Sequence, residues 1–220
     1  MDISIIGGAD GPTSVFLAGK IGDVIILPAY MILILFYGIY FVKMLSQKRQ
    51  GIQTNQLGKG KNKSVRSIET KLRLMTWLIG VIQVLSVVLD WNRAAGAVRV
   101  TGVIIGGLGD LVFLIAVLTM KNSWRAGIPE KDRTQLISNG IYRYSRNPAF
   151  LGFDLMYIGI LLICLNGLLF CATVCGVVLL HLQILQEEKY LTEVFGEEYI
   201  RYQRCVRRYF GRKQRIRQNL

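Results

Sequence analysis

The sequence predicts an all-α integral membrane protein of about five transmembrane helices, with a C-terminal amphipathic helix on the cytosolic side. The first observation is the apolar content: 52% of the 220 residues are hydrophobic and the mean hydropathy is +0.38. A soluble domain of this length does not need so many long apolar runs. The second is where the charge lies. The net charge is +13, and Lys43–Arg73, Lys121–Asn147 and the C-terminal region hold all but three of the 27 Lys and Arg. Charge flanking apolar runs is juxtamembrane charge. It points to anionic lipids and away from nucleic acid. The third is periodicity after Gln186, where Leu191, Val194, Phe195, Tyr199, Tyr202, Val206 and Tyr209 recur at three- and four-residue spacing among arginines.

Residues 1–23 form an N-terminal glycine-containing segment, with no basic region or apolar run suited to a signal peptide. Its GGADGPT stretch resembles one in the membrane subunits of sodium-pumping decarboxylases, though the rest of the chain does not follow that family. Gly7, Gly8, Gly11 and Pro12 otherwise make a turn before the first helix. Residues 24–120 hold three spans. Val24–Leu45 is the first. Lys43–Arg73 sets nine Lys/Arg against a single acid, Glu69. The basic linker 46–73 includes Gly51–Ser64, whose composition predicts mobility. Leu74–Leu89 is the second span, with Trp77 and Trp91 as interfacial anchors near its ends. Val100–Met120 is the third. Its Gly102, Gly106, Gly107 and Gly109 follow no strand, so they predict a close helix-packing face rather than a dinucleotide loop.

Residues 121–210 form the second unit, and 211–220 a basic tail. Ala149–Leu165 and Gly167–Leu185 are apolar helices joined at Asn166-Gly167, short enough to force an antiparallel hairpin. That geometry makes Asn147-Pro148 and Glu187 neighbours. Lys20, Arg93 and Arg99 are the exceptions to the charge bias and fall on the other side. The bias places the N-terminus outside and the C-terminus in the cytosol.

The four cysteines form no CxxC pair, and Cys164, Cys171 and Cys175 lie within apolar helices as expected small buried hydrophobes. No metal site is indicated. His181 is the only histidine, and a neighbour is expected to satisfy it. Asp110 and Asp154 put carboxyls at membrane depth, which is costly without a partner. Gln83 is the expected partner of Asp110, and Asp154, four residues after Phe150, is a supporting candidate at the substrate site.

The pattern LISNGIYRYSRNPAFLG, then a helical hairpin, then EEKYLTEVFGEEYIRYQRCVRRYF resembles the isoprenylcysteine carboxyl methyltransferase and phospholipid methyltransferase superfamily over about Ser123–Phe210. The resemblance implies a membrane-embedded enzyme using S-adenosylmethionine on a lipidic or small amphiphilic acceptor. It puts cofactor contacts on Thr134, Gln135, Leu136, Ile137, Tyr142, Asn147, Pro148, Ala149, Phe150 and Glu187. Tyr142, Arg146 and Asn147 are candidates for catalysis, and no single catalytic residue is assigned. Two positions depart from the family pattern. Asn147 stands where prenylcysteine methyltransferases usually carry His, and an amide cannot titrate. Gln183 stands where they carry the substrate-carboxylate arginine, so the substrate position lacks its positive charge.

These residue types suit the implied chemistry. Methyl transfer from a sulfonium needs alignment, aromatic faces such as Tyr142 and Phe150 suit a cation, and Glu187 suits ribose hydroxyls. A helix start at Pro148 suits a carboxylate. Two other readings stay open: an NADPH-dependent membrane lipid or sterol reductase, and a non-enzymatic basic membrane adaptor.

Overall fold

The computed structural model describes residues 21–58, 63–128 and 135–212. The GGADGPT stretch, residues 59–62 of the linker, Thr134 and residues 213–220 of the tail lie outside them. Six helices appear among the described residues: α1 (Ile21–Arg49), α2 (Lys63–Val88), α3 (Gly96–Met120), α4 (Pro148–Ile163), α5 (Gly167–Phe195) and α6 (Glu197–Cys205). Short 3-10 turns occupy Lys121–Ser123 and Gly140–Arg143.

Helices α1, α2, α3 and α5 are each long and apolar enough to cross a membrane, so the protein is an integral membrane protein. Helix α4 is apolar but has only 16 residues. At about 1.5 Å per residue it falls short of a hydrocarbon core about 30 Å thick. The five expected spans are therefore four long helices and one short one. α2 begins eleven residues before the expected Leu74, because Lys63–Arg73 carries good helix formers that propagate the helix into the polar region. Trp77 consequently sits in mid-helix, exposed on the outer face, rather than at an end.

Packing follows the glycines. α3 packs chiefly on α4, and α2 on α5. A Cβ on Gly159 would lie 2.5 Å from Gly106 Cα, and one on Gly109 would lie 2.6 Å from Met156 N. Gly102 and Gly152 are as tight, so α3 and α4 touch backbone to backbone through four of these small positions and Gly159. Gly107 faces open space. Beside this seam Phe36 stacks on Phe113 at 4.5 Å, with Phe153 edge-on to both.

Several expectations change. Gln83 does not serve Asp110: it accepts from Tyr37 Oη at 2.9 Å and points its amide at Met156 Sδ. Asp110 Oδ1 has no hydrogen-bond partner among the described residues. Of the cysteines only Cys164 is buried, since Cys171 and Cys175 lie on the outward face of α5. The chain after Gln186 is not one amphipathic helix. α5 continues to Phe195, and Gly196, at φ +51°, breaks the chain before α6. Val206–Arg212 then folds back as a non-helical strap, with Gly211 N donating to Tyr144 O.

The expected mobile linker is pinned over its described part. Thr54 and Ala126 pair through their backbones, as do Gln56 and Ala126. Gln47 accepts from Thr54 Oγ1 at 2.6 Å and donates to Trp124 O at 3.1 Å. Glu69, fully buried, accepts from Gly58 N and Ile128 N. Side chains with the composition of a solvated loop are spent here on satisfying buried backbone.

Candidate functional site

Residues 51–58, 124–128, the start of α4 and the end of α5 meet at one end of the bundle, the basic end. The turn entering α4 and the acidic pair leaving α5 are neighbours, as the short hairpin connection requires. Asn147 Nδ2 donates to Glu188 Oε1 at 3.1 Å. Glu188 is buried, and it also pairs with Arg146 at 3.1 Å and with Arg208 at 2.9 Å. One carboxylate thus ties the α4 entry, α5 and the C-terminal strap together. Arg146 N donates to Arg207 O, which closes the same joint.

The adjacent acid behaves differently. Glu187 lines a cavity of about 70 Å³, below the range of about 300–1,000 Å³ typical of small-molecule sites, so a ligand larger than a few waters enters only as its walls move apart. Ala149, Phe150 and Phe153 of α4 form one wall, and Leu180, Gln183 and Glu187 of α5 another. Tyr40, Leu57, Leu72, Thr76 and Trp124–Gly127 complete it. Gln183 Nε2 donates to Glu187 Oε1 at 3.1 Å, while Gln183 Oε1, buried, has no partner among the described residues. An orphaned acceptor beside a carboxylate, facing an aromatic wall, leaves hydrogen bonds for a ligand to complete. A second space of about 90 Å³ shares Arg125, Gly127 and Glu187 with the first and adds Ser123, Ile128, Tyr190 and Leu191. The cavity therefore has an apolar side among the helices and a more polar side at the basic end.

The sequence-derived candidates divide accordingly. Ala149, Phe150, Gln183 and Glu187 line the cavity. Asn147 and Pro148 are buried at its edge, with the Asn147 amide committed to Glu188 and to Arg208 O. Tyr142 is buried and is not among the lining residues. Burial, then Tyr202 and Glu187, push its phenol well above the ordinary value, so it stays protonated and is unsuited to act as a base. Gln135, Leu136 and Ile137 run through the segment before the Gly140–Arg143 turn, and Leu136 lines a separate groove. Thr134 lies outside the described residues. Asp154 is buried away from the cavity lining, with Oδ1 unpartnered among the described residues, and it acts electrostatically on Tyr209. Tyr209 in turn meets His181 Nδ1 at 2.7 Å, the neighbour expected for that histidine.

Sequence reasoning missed Tyr40, Leu57, Leu72, Thr76, Trp124 and Arg125. Tyr40 and Thr76 come from helices read only as membrane spans, and Leu57 and Leu72 from a segment read only as a basic linker. The signal available was Glu69, a lone acid among nine basic residues. A charge kept there against the local sign points to a structural partner.

A bundle of apolar helices with an aromatic-walled, acid-marked cavity at its basic end defines a polytopic membrane protein with a candidate small-molecule site at that end. The sequence profile of the phospholipid methyltransferase family matches residues 98–198. A curated relative, the protein-S-isoprenylcysteine O-methyltransferase of Saccharomyces cerevisiae, is 32% identical over 125 residues, which is 54% of this chain and 51% of the relative. Over its C-terminal half the chain is thus similar to the phospholipid methyltransferase family and to that relative. It spans about half the length of that curated relative.

Proposed function

We propose that the protein is a membrane methyltransferase that uses S-adenosylmethionine to methylate a lipidic or amphiphilic acceptor at the cytosolic interface. The observation that carries this reading is Glu187 with the orphaned Gln183 Oε1, set in a cavity walled by Tyr40, Trp124, Phe150 and Phe153. The superfamily match and the relative's methyltransferase activity support it.

The donor set suits the cofactor's chemistry, and the cavity, about 70 Å³, widens to admit it. Glu187 offers carboxylate oxygens to ribose hydroxyls, and Gln183 Oε1 offers a further acceptor. The aromatic wall favours a cation and excludes water from it. When bound, S-adenosylmethionine supplies an electrophilic methyl group on a positive sulfur. The chain's own part is binding and alignment, which supply much of the rate for this class of transfer. The polar side near Ser123 and Ile128 admits the water-soluble cofactor, and the apolar side among α1, α2 and α5 admits the acceptor. Asn147 and Arg146 hold Glu188 in this account, so they position α5 rather than move protons. Thr134–Ile137 and Tyr142 remain proposed cofactor contacts on the resemblance. Positive charge at the basic end supports a cytosolic C-terminus and an external N-terminus. Among the described residues Arg125 is the single Lys or Arg on the wall, too little fixed charge for the 2′-phosphate of NADPH.

Calorimetry with S-adenosylhomocysteine in detergent tests the reading. Wild-type protein is expected to bind, and Glu187→Ala to bind about 10- to 100-fold more weakly, the worth of hydrogen bonds to a charged group. Absence of binding by the wild type, or equal binding by the variant, would overturn it. A lipid-extract methylation assay with labelled donor, followed by mass spectrometry, identifies the acceptor.

A further inference from the structure

The basic end carries a further concavity, an open groove of about 450 Å³ between residues 136–143 and the unit made by α6 and the strap. Arg143, Arg201 and Arg212 line it, with Ser138 and Tyr202, against one acid, Glu198. All three arginines are exposed. None forms an ion pair among the described residues, whereas Arg99, Arg146 and Arg208 each do. Arg201 has only a 3.4 Å contact from its Nε to Glu197 O. Three like charges around one concavity repel one another unless an anion joins them.

The groove is held in shape by its frame. Tyr202 Oη donates to Tyr142 O at 2.6 Å, and Gly211 N donates to Tyr144 O at 2.7 Å. The second of these bonds joins the strap to residue 144, and Tyr144 and Phe210 are both exposed, by 52% and 72%. Exposed aromatics beside arginines, just beyond the ends of membrane helices, match what the headgroup layer selects.

We propose that this groove seats the phosphate of an anionic glycerophospholipid headgroup, gripped by Arg143, Arg201 and Arg212, while Tyr144 and Phe210 enter the headgroup layer. The groove shares no lining residue with the Glu187 cavity, and of its lining residues only Leu136 is also a proposed cofactor contact, so lipid retention is read independently of methyl transfer. A lipid phosphate supplies the counter-charge that the groove lacks, and only a bilayer-borne phosphate would also use the two exposed rings.

The test uses the full chain in nanodiscs, with native mass spectrometry counting retained phosphatidylglycerol against phosphatidylcholine. Replacing all three arginines by Gln is expected to weaken phosphatidylglycerol retention about tenfold or more, given the worth of each cation at a membrane surface. The charge-matched Lys48→Gln, Lys71→Gln, Lys189→Gln variant is expected to change it less than twofold. Tyr144→Ser with Phe210→Ser is expected to weaken retention while leaving the arginines in place. Equal losses in the two charge variants would mean diffuse attraction and overturn the proposal. So would inorganic phosphate competing fully with the lipid, since the source would then be a free anion.

Discussion

The two ends of the bundle are built from similar parts and do opposite things. At the end bearing residues 90–99, Asn166 donates to Ser86 Oγ, Trp91 O and Cys164 O, and its Oδ1 caps α5 by accepting from Leu169 N. Arg99 pairs with Asp90 at 3.0 Å, and Arg93 N donates to Leu165 O. One amide spends its whole capacity on closing a turn. The basic end has the hubs Gln47, Glu69 and Glu188, which are equally committed, but it holds Gln183 Oε1 and Glu187 back on a cavity. The difference is that the unpartnered Gln183 Oε1 of the basic end borders that cavity, whereas the unpartnered Arg99 Nε of the other end does not. One end is a clasp; the other is a clasp with a site in it.

The comparison is broken most severely at Glu188. Glu188→Ala leaves Arg146 buried without its counter-charge, and removing one partner of a buried pair costs about 3–5 kcal/mol. The expected outcome is a large loss of thermal stability in detergent together with loss of cofactor binding, because α5 is no longer held. Asn166→Ala comes next. It orphans buried groups at the closed end and is expected to cost about 1–3 kcal/mol, while S-adenosylhomocysteine affinity stays within twofold. Equal damage to affinity would mean that the ends are not independent. Tyr202→Phe is the mildest, removing one bond to Tyr142 O at an expected cost of about 0.5–1.5 kcal/mol in the same melting assay.

The closed end and the helices were legible because hydropathy and the Asn-Gly turn are local signals. So was the approach of Asn147 to the acidic pair, which connection length alone dictates. The glycine seam was legible as a motif, since Gly102-x3-Gly106 has few other uses in an apolar helix. Residue spacing alone did not separate Glu187 from Glu188; the family resemblance singled out Glu187. Adjacent positions on a helix differ by about 100° in direction, and which one faces the cavity depends on the neighbours. The Gln47–Thr54–Glu69 network was hidden for the same reason. Its residues look like solvated linker until residues 124–128 arrive to be bound. The break at Gly196 was missed because the apolar spacing runs straight through it.

Hydrogen exchange of the detergent-solubilised protein, with and without S-adenosylhomocysteine, tests the division of labour most directly. The account predicts added protection in residues 124–128, 149–153 and 183–187, and none in 90–99 or 164–169. Protection centred on the Asn166 end, or spread evenly over both ends, would contradict it.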